Sequence, residues 1–411
     1  MKADVVIIGG GPAGLAAAVK LKELGVNDVV ILEREKHLGG ILRQCIHDGF
    51  GITRFQQALS GPEYAARFID QVQQLGIEYV TEATVIRLDQ NRRVLAASRR
   101  GLLEYEAKAV VLAMGCRERT RGAISIPGSR PAGVYTAGVA QAYMNLKNIM
   151  VGKRAVILGS GDIGLIMARR MTLEGMKVEA VFEILPYPSG LPRNIEQCLN
   201  DYQIPLYLSH TVTEIHGEGR LQGVTVSQVD EQLQPIKGSG RHYACDTLIL
   251  SVGLIPENEL SLMAGVQLDP RTRGALVDER YQTSVPGIFA AGNVLHVHDL
   301  VDFVSLEAER LSKAVADWLQ QGQDEDAAIL IETDANIGYT VPQRICDTGD
   351  CQISLRVRRP LRDCRIRLLQ DETTVASKRL TKAVPAEMIH LHLKQQQLVS
   401  KNNIKVVLEH A

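Results

Sequence analysis

Two stretches of this chain are built to one plan. Residues 5–33 read VVIIGGGPAGLAAAVKLKELGVNDVVILE and residues 155–183 read AVILGSGDIGLIMARRMTLEGMKVEAVFE. Each is an apolar run, three glycines in G-x-G-x-x-G spacing, a helical run, and a second apolar run ending in glutamate. The glycines are Gly9, Gly11 and Gly14 in the first and Gly159, Gly161 and Gly164 in the second. Each glutamate, Glu33 and Glu183, falls 19 residues past its third glycine (33 − 14 and 183 − 164). The first glycine permits a tight turn, the second lets backbone approach a pyrophosphate, and the third lets helix and strand pack closely. The helix N-terminus then offers unpaired N–H groups to the phosphates. An acid at the end of the next strand accepts hydrogen bonds from a ribose diol and repels a 2′-phosphate, so the second site favours NAD(H) over its phosphorylated form.

Two such units in one chain predict two Rossmann-like three-layer α/β domains and two bound dinucleotides, whose joint use is hydride exchange between nicotinamide and flavin. At 411 residues the chain is long enough for two or three domains. A net charge of −1 with interleaved signs argues against a nucleic-acid role. The opening apolar run is too short for a signal segment, and no apolar run reaches 18 residues. The expectation is a cytoplasmic protein without membrane insertion. Seven cysteines scattered over the chain fit reduced thiols better than a disulfide framework.

The order of motifs resembles the two-dinucleotide flavoproteins of the pyridine nucleotide-disulfide oxidoreductase superfamily over about residues 1–320. After Glu33-Arg34 comes Gly39-Gly40, which the resemblance places near the flavin phosphates and ring. Thr84-Val85 matches a strand whose backbone touches adenine, and Ala113-Met114-Gly115 matches a crossover motif that usually reads A-T-G. TSVPGIFAAGN (283–293) matches the second flavin motif, with Gly292-Asn293 where G-D is usual. The resemblance implies FAD held by Gly9, Gly11, Gly14, Glu33, Arg34, Gly40, Val85, Ala113, Gly115, Gly292 and Asn293. It likewise implies NAD(H) held by Gly159, Gly161, Gly164 and Glu183. GGILRQCIHDGFG and GNVLHVHDLVDFVS are most similar to flavoprotein subunits related to hydrogen cyanide synthase, opine and sarcosine oxidases, and glycerol-3-phosphate dehydrogenase-associated oxidoreductases.

A disulfide reductase needs two thiols within about one helical turn. Cys45, after the glycine pair, has no neighbour, and Cys198 and Cys245 lie far apart in the second domain. Two readings of Cys45 remain: a single-thiol redox centre tuned by His47 and Asp48, or a packed, inert residue. In NVLHVHDLVD (293–302), a helix starting near Leu300 is expected to aim its N-terminus at the flavin. His298 or Asp299 there suits helix capping, a proton relay or substrate contact. His296 and Asp302 complete a cluster from which no metal site is expected. Arg43, His47 and Arg117 are either contacts for an anionic substrate or solvated charges.

Beyond the helix 306–321 and a polar linker, QGQDED, the sequence alternates apolar and polar residues, as in CQISLRVRR and RDCRIRLLQ. That period predicts a small β-sheet or β-sandwich module. Its Cys346, Cys351 and Cys364 lack a fourth ligand for a cluster. The expected organisation is a split FAD domain (1–147 and 255–322), an inserted NAD domain (148–254) and the β module (328–411). Three functions fit: an electron-transferring subunit of a multicomponent dehydrogenase or oxidase, a stand-alone NADH-dependent reductase or oxidase, and a flavin-binding sensor or scaffold. The implied partners are a small redox substrate and either a protein subunit or a second copy of the chain.

Overall fold

The computed structural model describes residues 1–322, 329–346 and 350–410. Most of the expected linker, residues 323–326, lies outside them. The chain divides into two compact units, Met1–Cys116 with Pro256–Ala411, and Arg117–Ile255.

The first unit is organised by the run VVII. Residues Val5–Ile8 are almost wholly buried, because a strand flanked by parallel neighbours and covered on both faces has no polar side to show. The strand Lys2–Ile8 pairs in parallel with Val29–Leu32 on one side and with the C-terminal half of Gly101–Leu112 on the other. Glu78–Val80 extends one edge and Ile288–Ala290 the other, both in parallel. The N-terminal half of Gly101–Leu112 instead pairs antiparallel with Arg93–Ser98, which pairs with Ala83–Leu88. The helix Pro12–Glu23 starts on proline, whose fixed φ suits a first helical position. Its alanines permit close approach of the long helix Val301–Gln321, where the Ser312 hydroxyl donates to the Ala17 carbonyl at 3.2 Å.

The second unit repeats this plan. Five parallel strands run in the order Val134–Thr136, Thr247–Leu250, Arg154–Leu158, Lys177–Glu183, Leu206–Leu208. A three-stranded antiparallel sheet, His210–His216, Gly223–Gln228 and Arg241–Ala244, accompanies them. The boundary expected at 147/148 falls instead at 116/117. The cause is pairing: Val134–Thr136 is the edge strand of this sheet, and the helix after it buries Ala137, Ala140 and Met144 in the same core as Ile157, Leu165 and Ala168. The second boundary, expected at 254/255, lies one residue away.

Residues 329–346 and 350–410 form the expected β module, with one five-stranded and one three-stranded sheet around their own core. In Leu361–Gln370 the residues Cys364, Ile366 and Leu368 are fully buried and alternate with Arg365 and Arg367. The module clusters with the first unit rather than standing alone. Burial pushes the Cys346 thiol up to about 12 and those of Cys351 and Cys364 upward too, which suits packed thiols. Among the described residues no helix is long and apolar enough to cross a membrane.

Truncating the centre of the module tests whether it is a true core. Leu368→Ala is expected to cost about 2–5 kcal/mol, read as a lower urea midpoint of the unfolding transition that involves the module.

Candidate functional site: two dinucleotide cradles

The first cradle begins where Ile8 leaves the sheet. Gly9 has φ +108°, and a Cβ there would collide with the Ala113 carbonyl. A Cβ on Gly14 would collide with the Gly9 carbonyl, so the turn and the helix touch through bare backbone. A Cβ on Gly11 would meet only the Gly40 Cα, at 3.9 Å, whereas one on Gly40, which has φ +55°, would come within 2.9 Å of the Gly11 Cα. The Gly39 amide donates to the Gly10 carbonyl at 2.8 Å, which brings the glycine pair onto the turn. Ala113 is tied to the Ile8 carbonyl at 2.9 Å, and Gly115 has φ +71°.

Glu33 closes the turn. It is 6% exposed, and its carboxylate accepts from the Gly10 amide at 2.7 Å and the Glu35 amide at 2.8 Å. Its carbonyl accepts from the Ala83 amide at 2.9 Å, which anchors the strand carrying half-buried Val85. Arg34 stays exposed, 4.0 Å from the Glu35 carboxylate.

The second cradle repeats these contacts at the first glycine and at the acid. Gly159 has φ +94° and a Cβ on it would collide with the Ser251 carbonyl, as Gly9 would with Ala113. A Cβ on Gly164 would come within 2.6 Å of the Ser251 Cβ. Gly161 leads into the helix Asp162–Leu173 as its N-cap. Glu183, 4% exposed, accepts from the Ser160 amide at 3.0 Å and the Leu185 amide at 3.1 Å, the positions equivalent to Gly10 and Glu35. The hydroxyls of Ser160 and Ser189 add bonds of 2.6 and 2.9 Å.

The second flavin motif packs onto the first cradle. Gly292 has φ +76°, and a Cβ there would lie 3.0 Å from that of Ala13. The Asn293 amide nitrogen donates to the Cys116 thiol at 3.6 Å, and its carbonyl oxygen accepts from the His298 amide at 3.0 Å. An aspartate could not make the first of these, which gives the departure at 293 a local reason.

Sequence reasoning missed Glu307. Its Oε1 accepts from the Gly292 amide at 2.8 Å, while Oε2 lies 2.8 Å from His296 Nε2 and 3.3 Å from His298 Nε2. Burial opposes its charge, but the two imidazoles outweigh burial and hold the carboxyl well below the ordinary range. Burial, then His298, pushes His296 below its usual value. The signal was available: Glu307 sits with Val304, Ala308 and Leu311 on the buried face of the long helix, where an acid needs a partner. The three groups offer ligand atoms within 4.8 Å. The 2.8 Å contact, however, is a hydrogen bond, closer than the ~3.3 Å between two ligands of a tetrahedral ion. Both Nδ1 atoms are buried without a partner among the described residues and so retain capacity for a bound group or water.

The other expected members go elsewhere. Asp299, expected to cap the helix or relay protons, does not cap it. It lies 3.6 Å from Arg356 and accepts from the Met388 amide at 3.3 Å, both in the β module. The reason is the backbone: Leu300 is the N-cap, and the acid in the first turn is Asp302, which accepts from the amides of Gly51 and Arg54 at 3.2 Å. Cys45 ends a short 3-10 helix, its thiol donating to the Ile41 carbonyl at 3.4 Å, and burial pushes it up to about 12. His47 leans on Phe50, ring centroids 5.0 Å apart. Arg43 is half-buried and Arg117 exposed.

Two glycine turns, each closed by a buried glutamate on matching amides, define a protein of the two-dinucleotide oxidoreductase class. The model of the pyridine nucleotide-disulphide oxidoreductase family matches residues 3–317. The chain belongs to that family, whose cofactors are FAD and NAD(P)H. It is 28% identical over 318 residues to the hydrogen cyanide synthase subunit HcnB of Pseudomonas aeruginosa, covering 70% of this chain and 66% of that one. It is 29% identical to the benzene 1,2-dioxygenase system ferredoxin–NAD(+) reductase subunit of Pseudomonas putida, covering 72% and 67%. It is 26% identical to apoptosis-inducing factor 3 of Mus musculus over 71% of this chain but only 45% of that protein. The thioredoxin reductase of T. acidophilum superposes with a TM-score of 0.64 at 25% identity, over 77% of this chain and 98% of that one.

The glycine contacts separate the two sites by experiment. Gly14→Ala is expected to yield protein purified without flavin colour, whereas Gly164→Ala keeps the colour but is no longer bleached by NADH; absorbance spectra read both. For Cys45, peptide mass spectrometry after iodoacetamide at about pH 8 should show alkylation roughly a thousandfold slower than for an ordinary thiol, rising about tenfold per pH unit. Cys45→Ser should leave turnover unchanged.

Proposed function

We propose that this chain is the electron-transferring flavoprotein of a multicomponent dehydrogenase or oxidase, exchanging hydride between NAD(H) and FAD in the cytosol. The observation that carries the reading is the pair of glutamate-closed turns. Each is shaped for an adenine dinucleotide, because a Cβ at Gly9, Gly14, Gly159 or Gly164 would strike the backbone or side chain that forms the cradle. The bound dinucleotides supply the hydride chemistry. The protein supplies position and electrostatics. Gly9, Gly11 and Gly14 clear a path for phosphates, and Glu33 holds the turn while retaining acceptor capacity for a ribose. Gly39-Gly40 and Gly292-Asn293 line the same cradle from two further segments. Glu307, with His296 and His298, fixes the Gly292 loop and keeps a buried negative charge and two imidazoles beside it, where His298 serves proton handling.

In the second unit Glu183, ringed by Ser160, Ser189 and Leu185, favours NAD(H) over the 2′-phosphorylated form. Cys45 is not a redox centre on this reading, since a thiolate is the reactive form and burial suppresses it. The subunit role draws on relatives whose names place them in multicomponent systems, the hydrogen cyanide synthase and benzene dioxygenase components.

Anaerobic titration of the holoprotein tests the core of this. NADH should bleach the flavin's visible band stoichiometrically, with NADPH about tenfold or more less effective, the effect of roughly 1.4 kcal/mol of charge repulsion. Glu183→Ala should narrow that preference. A flavin indifferent to both nucleotides would sink the reading.

A further inference from the structure

The β module carries a cluster of positive charge that its own fold does not explain. In the hairpin Leu361–Gln370 and Thr373–Ala383, Arg365 stands directly opposite Arg379, and Arg362 directly opposite Lys382. All four are exposed. Like charges directly opposite one another destabilise an antiparallel pair, and here it happens twice, about 10 Å apart along the strands; Asp363, with φ +43°, breaks the alternation between them, so that Leu361 and Cys364 are both buried and Arg362 and Arg365 both exposed. On its other side Arg365 stands opposite Glu409, but that carboxylate is held by Arg367 at 2.8 Å. Among the described residues no carboxylate makes a salt bridge with the other four. This concentration is local, because the whole chain has a net charge of −1.

Protection of a sheet edge does not account for it. Thr373–Ala383 is an edge strand, and lysine or arginine there would discourage unwanted pairing. Leu361–Gln370 is not an edge: it is paired on both sides, with Thr373–Ala383 and Ile404–His410. Arginines at 362 and 365 guard no edge: both face edge cations on one side, and the acid on the other side of Arg365, Glu409, is bonded to Arg367. A nucleic acid is a poor fit because neither strand holds an aromatic residue on which a base could stack. A membrane surface is a poor fit because the hairpin exposes no large apolar anchor. Carboxylates of a folded protein suit planar guanidinium groups, which they bond in bidentate fashion.

We propose that the outer face of this hairpin, centred on Arg365 and Arg379 with Arg362 and Lys382, docks an acidic surface of a partner protein. The inference rests on the reading of this chain as the flavoprotein of a multicomponent system and identifies the surface through which that partner is held. Opposed cations that repel in the free protein are relieved when carboxylates lie between them. Electrostatic pairing of this kind also speeds encounter and makes it sensitive to salt.

The test uses the full-length holoprotein and a fluorescent poly-L-glutamate peptide as the probe. Wild type should bind it in low salt and release it as salt rises. Arg365→Glu/Arg379→Glu should bind at least ~10-fold more weakly. Single Arg379→Glu, which gives Arg365 an opposite charge, should melt higher than wild type by about 1–3 °C. No binding of poly-glutamate by wild type, equal binding by the double variant, or a single variant that melts no higher would overturn the proposal. So would tighter binding of a single-stranded oligonucleotide or of phosphatidylserine vesicles. Bleaching by NADH, read on the same preparations, should be unchanged by the variants. Absent bleaching in wild type would refute the oxidoreductase reading, whereas lost peptide binding with normal bleaching refutes docking alone.

Discussion

The architecture turns on one contact made twice: a buried carboxylate at the end of the second strand accepting the first free amide of a glycine turn. Glu33 takes the Gly10 amide and Glu183 takes the Ser160 amide. A carboxylate taken out of water loses several kcal/mol of solvation. It therefore holds the positions that return this loss, here backbone N–H groups worth about 1.5–3 kcal/mol each as charge-assisted bonds. The same two amides in each unit, one in the turn and one two residues past the acid, fix the turn against the strand end. The turn is thereby shaped before any ligand arrives, and binding need not supply the ordering.

This explains why so much of the two cradles was legible in the sequence. The requirement at Gly9, Gly14, Gly159 and Gly164 falls within a single residue: a positive φ, or a close contact with backbone or with the Ser251 side chain that any Cβ would block. Local constraints write themselves into residue identity and spacing. The long helix and the alternating β module were legible for the related reason that burial on one face imposes a period. The position of Val134–Thr136 was not legible, since a three-residue strand has too little pattern to show which sheet it joins. Only its pairing with Thr247–Leu250, more than a hundred residues away, assigns it to the second unit.

The cluster around the second flavin motif shows the limit of reasoning by proximity in sequence. His296, His298, Asp299 and Asp302 are neighbours along the chain, yet only the two histidines converge, and they do so on Glu307, one helical turn or more away. Asp299 and Asp302 turn to the β module and to the loop 51–54. An extended segment entering a helix sends successive side chains in different directions, so adjacency there says little about convergence. Periodicity within the helix would have been the better guide, because it places Glu307 among buried apolar residues.

The thiols follow the same logic from the opposite side. Cys45 follows a glycine pair, and sequence position alone leaves it a candidate for redox chemistry. Its surroundings bear on this, because burial raises the cost of the thiolate. Glu33, Glu183 and Glu307 are buried where amides or imidazoles stabilise their charge, whereas burial at Cys45 acts against the thiolate. Buried carboxylates thus close both glycine turns and the Gly292 loop, while burial raises the Cys45 thiol. Electron transfer through ring cofactors needs no nucleophile from the protein, and a site organised by fixed dipoles and buried acids is what that chemistry requires.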